Sequence, residues 1–353
     1  MAASVETAAP PPTGLKRRRI AVGSSEHYEE TTDHLGAGAF GSVISGRHRA
    51  TGRPVAIKCL AGAAHGGGGP AELLREARFL EEASAGNPYV VGFEGVVRVP
   101  GTMDLRLVME LVGPTLHDVL RHHHPRGSPP LPEATVRAAM WQLLTGAEGM
   151  HAAGVVHRDI KPQNILVGDG HRVLKLCDLG LAVSVSEPPP YDPVGTLWYK
   201  APEVLLEKPD YGAPVDAWSL GCVMAELING GEPLFQGFDE QGQLRVIFDV
   251  LGAPNYGTWP WFSSPAAFAT VAVPDLDMQR HSLLREVFPE TKLSKEGFEV
   301  LSGLLTCNPD KRLTAAAALK HPWFAKIDAL ELPKTQEVEW PLHKRRSLRV
   351  LCA

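Results

Sequence analysis

A carboxylate, an ammonium and an amide stand close together in His157-Arg158-Asp159-Ile160-Lys161-Pro162-Gln163-Asn164, and a second carboxylate follows in Asp178-Leu179-Gly180. Residues of these types, in this order, suit the transfer of a phosphoryl group from ATP to a hydroxyl. Asp159 would orient the incoming hydroxyl and take its proton late, and Lys161 would neutralise charge on the moving phosphate. Asn164 and Asp178 would hold Mg2+ through hard oxygen donors. His-Arg-Asp alone also reads as an ordinary polar turn; the companion elements along the chain weigh against that.

Upstream, Leu35-Gly36-Ala37-Gly38-Ala39-Phe40-Gly41-Ser42-Val43 spaces its glycines so that backbone amides can approach phosphate oxygens without side-chain obstruction. By itself this is a weak signal, because glycine clusters are mostly turn chemistry. It strengthens because a strand pattern follows in place of a helix, and then Val55-Ala56-Ile57-Lys58. A lysine in an apolar strand must snorkel to water or meet an anion. Glu76 lies between Leu73 and Leu80 at helical spacing, so it falls on the apolar stripe of a helix and needs a cation, for which Lys58 is the natural partner. The competing placement is a helix rotated so that Glu76 meets solvent.

These residues need elements to hold them. Short β-type runs separated by Gly and Thr51-Gly52 turns predict a twisted antiparallel sheet from Thr31 to Cys59. Residues 71–84 predict a helix, Leu107-Val108-Met109 a last strand, and Val112-Gly113-Pro114 a connector. His122 to Pro132 reads as a loop, after which helices are expected near 133–152, 216–229, 239–252 and 296–306. The fold class is α+β, with a small sheet-rich lobe, a larger helical lobe and a cleft between them. The expected divisions are a disordered tail over 1–27, one domain over 28–324 and a C-terminal tail over 325–353. Within the domain, the small lobe spans about 28–111, the connector about 110–114 and the large lobe about 115–324.

The chain has 353 residues, of which 44% are hydrophobic, and its net charge is -5. That permits a full core and gives no global electrostatic reason to bind nucleic acid or an acidic membrane. The five cysteines form no CxxC pair, so neither a disulfide frame nor a zinc site is indicated. His122-His123-His124 without companion ligands reads as a solvated run. No run approaches the roughly 18 apolar residues of a membrane span. The expectation is a monomer, nuclear and/or cytoplasmic, with proteins and small molecules, ATP and Mg2+ among them, as partners. Lys16-Arg17-Arg18-Arg19 and Lys344-Arg345-Arg346 read as solvated charge or import signals.

From about residue 28 to 324 the chain resembles the protein kinase superfamily. Ala201-Pro202-Glu203, Asp216-Ala217-Trp218-Ser219-Leu220-Gly221 and Arg312 complete the likeness, Arg312 as the salt-bridge partner of Glu203. Within it, the chain is most similar to cyclin-dependent kinases, through Gly195-Thr196-Leu197-Trp198-Tyr199-Lys200-Ala201-Pro202-Glu203, Pro233-Leu234-Phe235-Gln236-Gly237, Leu251-Gly252-Ala253-Pro254 and His321-Pro322-Trp323-Phe324. The N-terminal extension and the glycine-rich approach to the helix are similar to the plant F-type branch. The resemblance implies serine or threonine as acceptor, Lys58 aimed at the phosphates by Glu76, and an adenine cleft lined by Met109, Glu110 and Val112. It also implies proline direction, a role in cell-cycle or transcription control, and a cyclin as partner. A catalytically silent pseudokinase scaffold is the competing class, against which stands the retention of Lys58, Asp159 and Asp178.

Departures bear on regulation. The cyclin-contacting helix signature here is Pro70-Ala71-Glu72-Leu73-Leu74-Arg75-Glu76, which puts cyclin dependence in question. Ala39 and Phe40 occupy the positions of an inhibitory Thr and Tyr. Leu179 replaces a phenylalanine and Lys200 an arginine. Tyr191 falls where the activating threonine is usual. Of three phosphate-holding arginines Arg75 and Arg158 remain, with Val183 in the third place. Two guanidiniums still want an anion, which Glu187, Asp192, or a phosphate on Ser184, Ser186 or Tyr191 would supply.

Overall fold

The computed structural model describes residues 20–38, 41–60, 69–123, 130–189, 191–263 and 281–332. The basic runs at 16–19 and 344–346, and the side chains of Ala37 to Phe40, lie outside what is described.

The small lobe is a six-stranded sheet in the order β1-β5-β6-β4-β3-β2. Its strands are β1 (Val22–Ser24), β2 (Tyr28–Gly38), β3 (Gly41–His48), β4 (Pro54–Leu60), β5 (Phe93–Arg98) and β6 (Leu105–Glu110). All neighbours are antiparallel except β1, which runs parallel to β5, with Val22 opposite Val96. The tail expected over 1–27 therefore ends sooner, because Val22 to Ser24 find free edge groups on β5. β4 is the middle of the hydrophobic ladder: Val55, Ile57 and Val108 are buried on one face, while Ala56 and Lys58 face the other. Helix α1 (Pro70–Ser84) packs on β5 and β6, starting with a proline in its first turn and burying Leu73, Glu76, Ala77, Phe79, Leu80 and Ala83. Glu76 is thus on the inward stripe.

The large lobe begins with α2 (Leu116–His123), so the expected loop over 122–132 starts later, after a helical turn whose entry is bonded by Thr115 and Asp118. Helix α3 (Glu133–Ala152) leads to the short strands β7 (Val155–Val156), β8 (Ile165–Gly168), β9 (Val173–Leu176) and β10 (Val183–Ser184), paired β10 with β7 and β8 with β9. After α4 (Pro202–Leu205) comes α5 (Pro214–Ile228), buried at every residue from Val215 on, its polar Asp216, Ser219 and Glu226 included. It packs against α3 and the helix Lys295–Leu304; α6 (Glu240–Leu251) lies against α4. The first part of the C-terminal tail expected from 325 packs back on the domain, with Leu330 and Leu332 buried and Leu332 N–H donating to His171 O.

Two buried carboxylates fix the large lobe. Arg312 donates from Nη1 and Nη2 to Glu203 at 2.6 and 2.7 Å. Its remaining donors reach the carbonyls of Thr306, Pro214 and Cys307. A guanidinium with every N–H direction filled, lying over the Trp218 ring, offsets much of its desolvation. Replacing Glu203 with Ala leaves that cation buried without its counter-charge. The expected loss is about 3–5 kcal/mol of unfolding free energy, read from urea titrations; a loss within experimental error would show that the carbonyls alone suffice.

Burial pushes the carboxyl of Glu226 on α5 up from 4.5 to about 7, with Glu232 adding to the effect and the Tyr199 Oη–H that it accepts at 2.6 Å opposing it. The unfolded chain ionises this group near 4.5, whereas the folded chain holds its proton to about 7. Stability is therefore lost as pH rises between those values and levels off above, by about 3 kcal/mol. Glu226→Gln keeps an acceptor for Tyr199 and does not titrate. Stability of the wild type relative to Glu226→Gln should fall between pH 5 and 8; a pH-independent difference would contradict it.

Candidate active site

Between the lobes lies a cleft of about 880 Å³, lined by Leu35, Gly36, Gly41 and Val43 from β2 and β3, by Ala56 and Lys58 from β4, and by Glu76 from α1. The end of β6 and the connector contribute Met109, Glu110 and Val112, and the large lobe Asp159, Lys161, Asn164, Asp178 and Thr196. The strands before and after the glycine run pair closely, Ala37 with Ser42 and Gly38 with Gly41. Ala39 and Phe40 lie outside the described residues. Met109 faces Ala56 across β6 and β4, both buried at the back of the cleft. Glu110 turns its carboxylate away to Lys175 Nζ at 2.7 Å and to Gly92 N–H at 3.0 Å, and its own N–H donates to Gly92 O. The connector is so tied to both lobes.

Lys58 Nζ donates to Glu76 at 2.7 and 2.8 Å and to Asp178 Oδ1 at 2.9 Å. Burial alone would lower its ammonium; the carboxylates of Glu76 and Asp178 outweigh that and hold it above the usual lysine range. Burial pushes the Glu76 carboxyl up despite Lys58, whereas in Asp178 burial is overcome by Lys58, which keeps that carboxyl below its usual range. Glu76 is thus the carboxylate most dependent on the lysine for its charge.

The turn carrying Asp159 is built on strain. Arg158 and Asp178 both have positive φ, at 69° and 63°, where a non-glycine side chain is disfavoured. Asp216, wholly buried on α5, accepts the N–H groups of His157 and Arg158 at 2.8 Å each and His151 Nε2–H at 2.8 Å. Burial disfavours its charge, but these donors hold its carboxyl below the usual range. His157 uses Nε2–H to bind Cys177 O at 2.9 Å, tying this turn to the residue before Asp178.

Asp159 has both oxygens oriented. Oδ1 accepts Thr196 N–H at 2.9 Å and Thr196 Oγ1–H at 2.7 Å; Oδ2 accepts Lys161 Nζ at 2.8 Å and Asn164 Nδ2 at 3.0 Å. Lys161 also donates to Thr196 Oγ1 at 2.6 Å. Because Asn164 directs its amide N–H groups to Asp159, its carbonyl oxygen is turned elsewhere as a donor atom for a metal. Asn164 and Asp178 line one cleft and offer hard oxygens only, a set that fits a divalent metal completed by phosphate oxygens and water. Among the described residues, no three His, Cys, Asp or Glu gather as a self-sufficient metal site.

Sequence reasoning singled out the acids and the lysines but gave no role to Thr196, His151, Lys175 or Tyr211. Thr196 is visible only as part of a motif, since nothing in its spacing reveals a hydroxyl wedged between Asp159 and Lys161. The regulatory candidates separate in space. Ser184 is buried and bonds the exposed Ser186. Glu187 reaches Arg75, and Asp192 presents its backbone carbonyl, not its carboxylate, to Tyr211.

Comparison with known proteins places residues 29–324 under the model for the protein kinase domain. The chain is 46% identical over 319 residues to a cyclin-dependent kinase F-2 of Oryza sativa subsp. japonica, covering 86% of this chain and 91% of that protein. It is 39% identical over 280 residues to cyclin-dependent kinase G1 of Arabidopsis thaliana, covering 76% of this chain and 43% of the other. It is also 34% identical over 303 residues to cyclin-dependent kinase 11.2 of Caenorhabditis elegans, with 83% and 44% covered. The chain thus spans nearly all of the first relative and less than half of the other two.

Thr196→Val removes the hydroxyl that bridges Asp159 and Lys161 while keeping the side chain's shape. Hydrogen bonds to charged groups are worth about 1.5–3 kcal/mol, so phosphoryl-transfer turnover should fall roughly tenfold to a hundredfold, with Thr196→Ser close to wild type. Equal kcat for the valine and wild-type proteins would refute the bridge.

Proposed function

We propose a magnesium-dependent, proline-directed activity for this chain, which belongs to the protein kinase family and is a serine/threonine protein kinase of the cyclin-dependent type. The family implies ATP and a divalent metal as well as protein substrates. The observation that carries the finer reading is the Asp159 carboxylate, fixed by four donors in the same cleft as Lys58, Asn164 and Asp178.

In this reading Lys58, held by Glu76, presents its ammonium to the nucleotide phosphates, and the glycine strands cover them from above. Asp159 receives the hydroxyl of the acceptor serine or threonine, orients it, and accepts its proton as the bond to phosphorus forms. Lys161, beside Asp159, balances negative charge on the transferred group. Asn164 and Asp178 hold the metal, which when bound neutralises charge on the phosphates. Met109, Glu110 and Val112 bound the adenine end.

Proline direction is supported by Gly195. Its φ of 112° and a virtual Cβ only 2.7 Å from Arg158 O restrict this position to glycine. A backbone turned in this way need not offer its carbonyl to the residue after the acceptor, and proline, which lacks an N–H, is then not penalised. A cyclin is the partner class that the likeness suggests, with the exposed Ala71, Glu72 and Arg78 of α1 as the face to meet it. A role in cell-cycle or transcription control follows the same likeness. The free thiols of Cys59, Cys177, Cys222 and Cys307 suit a reducing nuclear or cytoplasmic setting.

Radiolabel transfer from Mg-ATP, with and without added cyclin, tests this on paired Ser-Pro, Ser-Ala and Tyr-Pro peptides. Ser-Pro should be the best acceptor, and Asp159→Asn should lower kcat by about 10² to 10⁴. Equal Ser-Pro and Ser-Ala rates would remove proline direction, and an active Asp159→Asn protein would remove the role of Asp159.

A further inference from the structure

Helix α1 must keep Glu76 on Lys58, and the residue beside it, Arg75, makes an ion pair from this helix to Glu187 in the segment between Asp178 and Ala201. Arg75 Nη2 donates to both carboxylate oxygens of Glu187, at 3.0 and 3.3 Å, while its guanidinium lies 4.9 Å from the centre of the Phe79 ring. Glu187 is itself fixed from behind. Its N–H donates to Ser184 O at 2.9 Å, and its carbonyl accepts Tyr191 Oη–H at 2.7 Å.

The contacts continue to the catalytic turn. Tyr191 packs on Tyr211 with ring centres 5.3 Å apart, and Tyr211 Oη accepts Arg158 Nη1–H at 2.8 Å and donates to Asp192 O. Arg158 Nε–H goes to Leu181 O at 2.6 Å. Both guanidiniums in this region are thus engaged by groups the chain itself supplies, one by a carboxylate and one by neutral oxygens. Asp159 follows Arg158 directly, so the position of Glu187 is linked at one end to the Lys58–Glu76 pair and at the other to the acceptor site.

We infer that Glu187 is a positioning residue: its carboxylate latches α1 to the segment 181–200 and so holds the unmodified chain in its working arrangement without a phosphate on that segment. The inference rests on the kinase reading above. Arg75 and Glu187 side chains are 42% and 43% exposed. A pair so placed adds little to global stability and is weakened by salt, so the latch should show itself in turnover and not in melting temperature.

The test uses the full chain, treated with phosphatase and checked by intact mass, and compares wild type with Glu187→Gln, Arg75→Gln and the double variant. The unmodified wild type should keep its kcat. Glu187→Gln should lower kcat roughly twofold to fivefold, leave KM for ATP within about twofold, and flatten the fall of kcat with added NaCl. The double variant should be no slower than the slower single one, since both remove one contact. Wild-type kcat in Glu187→Gln, or a double variant showing the product of the two single losses, would overturn the latch. Loss of activity on phosphatase treatment would overturn it while sparing the kinase reading, because activity before treatment establishes the enzyme. Wild type inactive both before and after treatment would overturn the two together.

Discussion

One buried ammonium gathers three separate elements of this chain at a single point. Lys58 on β4 binds Glu76 on α1 and Asp178 of the large lobe within 2.9 Å. Glu76 has no comparable reason to sit in this nearly dry space, whereas Asp178, half-buried, meets the lysine from the open side of the cleft. A buried carboxylate without a cation is strongly disfavoured, and a lysine without an anion equally so. Lys58 and Glu76 therefore dictate each other's place: the helix cannot rotate away without stranding a buried charge, and Asp178 adds a second anion from the large lobe. The arrangement resembles a site prepared for a polyanion, since a phosphate chain can replace Asp178 as one partner of the lysine.

A second carboxylate plays the matching part in the large lobe. Asp216 rises from a helix buried all round and binds two successive backbone N–H groups of the turn that carries Asp159. That is how a positive φ at Arg158 is held, a conformation worth of order 1–3 kcal/mol of strain. The same turn presents His157 to the Cys177 carbonyl, so Asp159 and Asp178 are kept in register through the backbone as well as through Lys58. Precision at the site comes from this shared anchorage, with the Asp159 oxygens then aimed by Thr196, Lys161 and Asn164.

Much of this was legible in the sequence because charge in an apolar pattern is informative. Lys58 in a strand of Val, Ala and Ile, and Glu76 on the stripe of Leu73 and Leu80, each advertised a missing partner, and the fold supplied them to one another. The long helices 133–152 and 216–229 were readable from their length and periodicity to within two residues. What escaped was of two kinds. Edge additions such as Val22–Ser24 depend on which strand is left unpaired, a property of the assembled sheet. The bridging roles of Thr196, His151 and Tyr211 depend on contacts between residues tens of positions apart, for which hydroxyls and imidazoles carry no periodic signal. The choice of Glu187 over Asp192 was likewise undecidable from composition, since the two acids lie on the same short loop and only geometry tells which one faces Arg75.

The central physical claim is that the cleft gathers Lys58, Asn164, Asp159 and Asp178 around one nucleotide triphosphate. A crystal structure of the protein with magnesium and a non-hydrolysable ATP analogue tests it most directly. Phosphate density within hydrogen-bond reach of Lys58 Nζ, with a metal between Asn164 and Asp178, is the result expected. Nucleotide bound elsewhere, or a cleft that stays empty at saturating ligand, would contradict it.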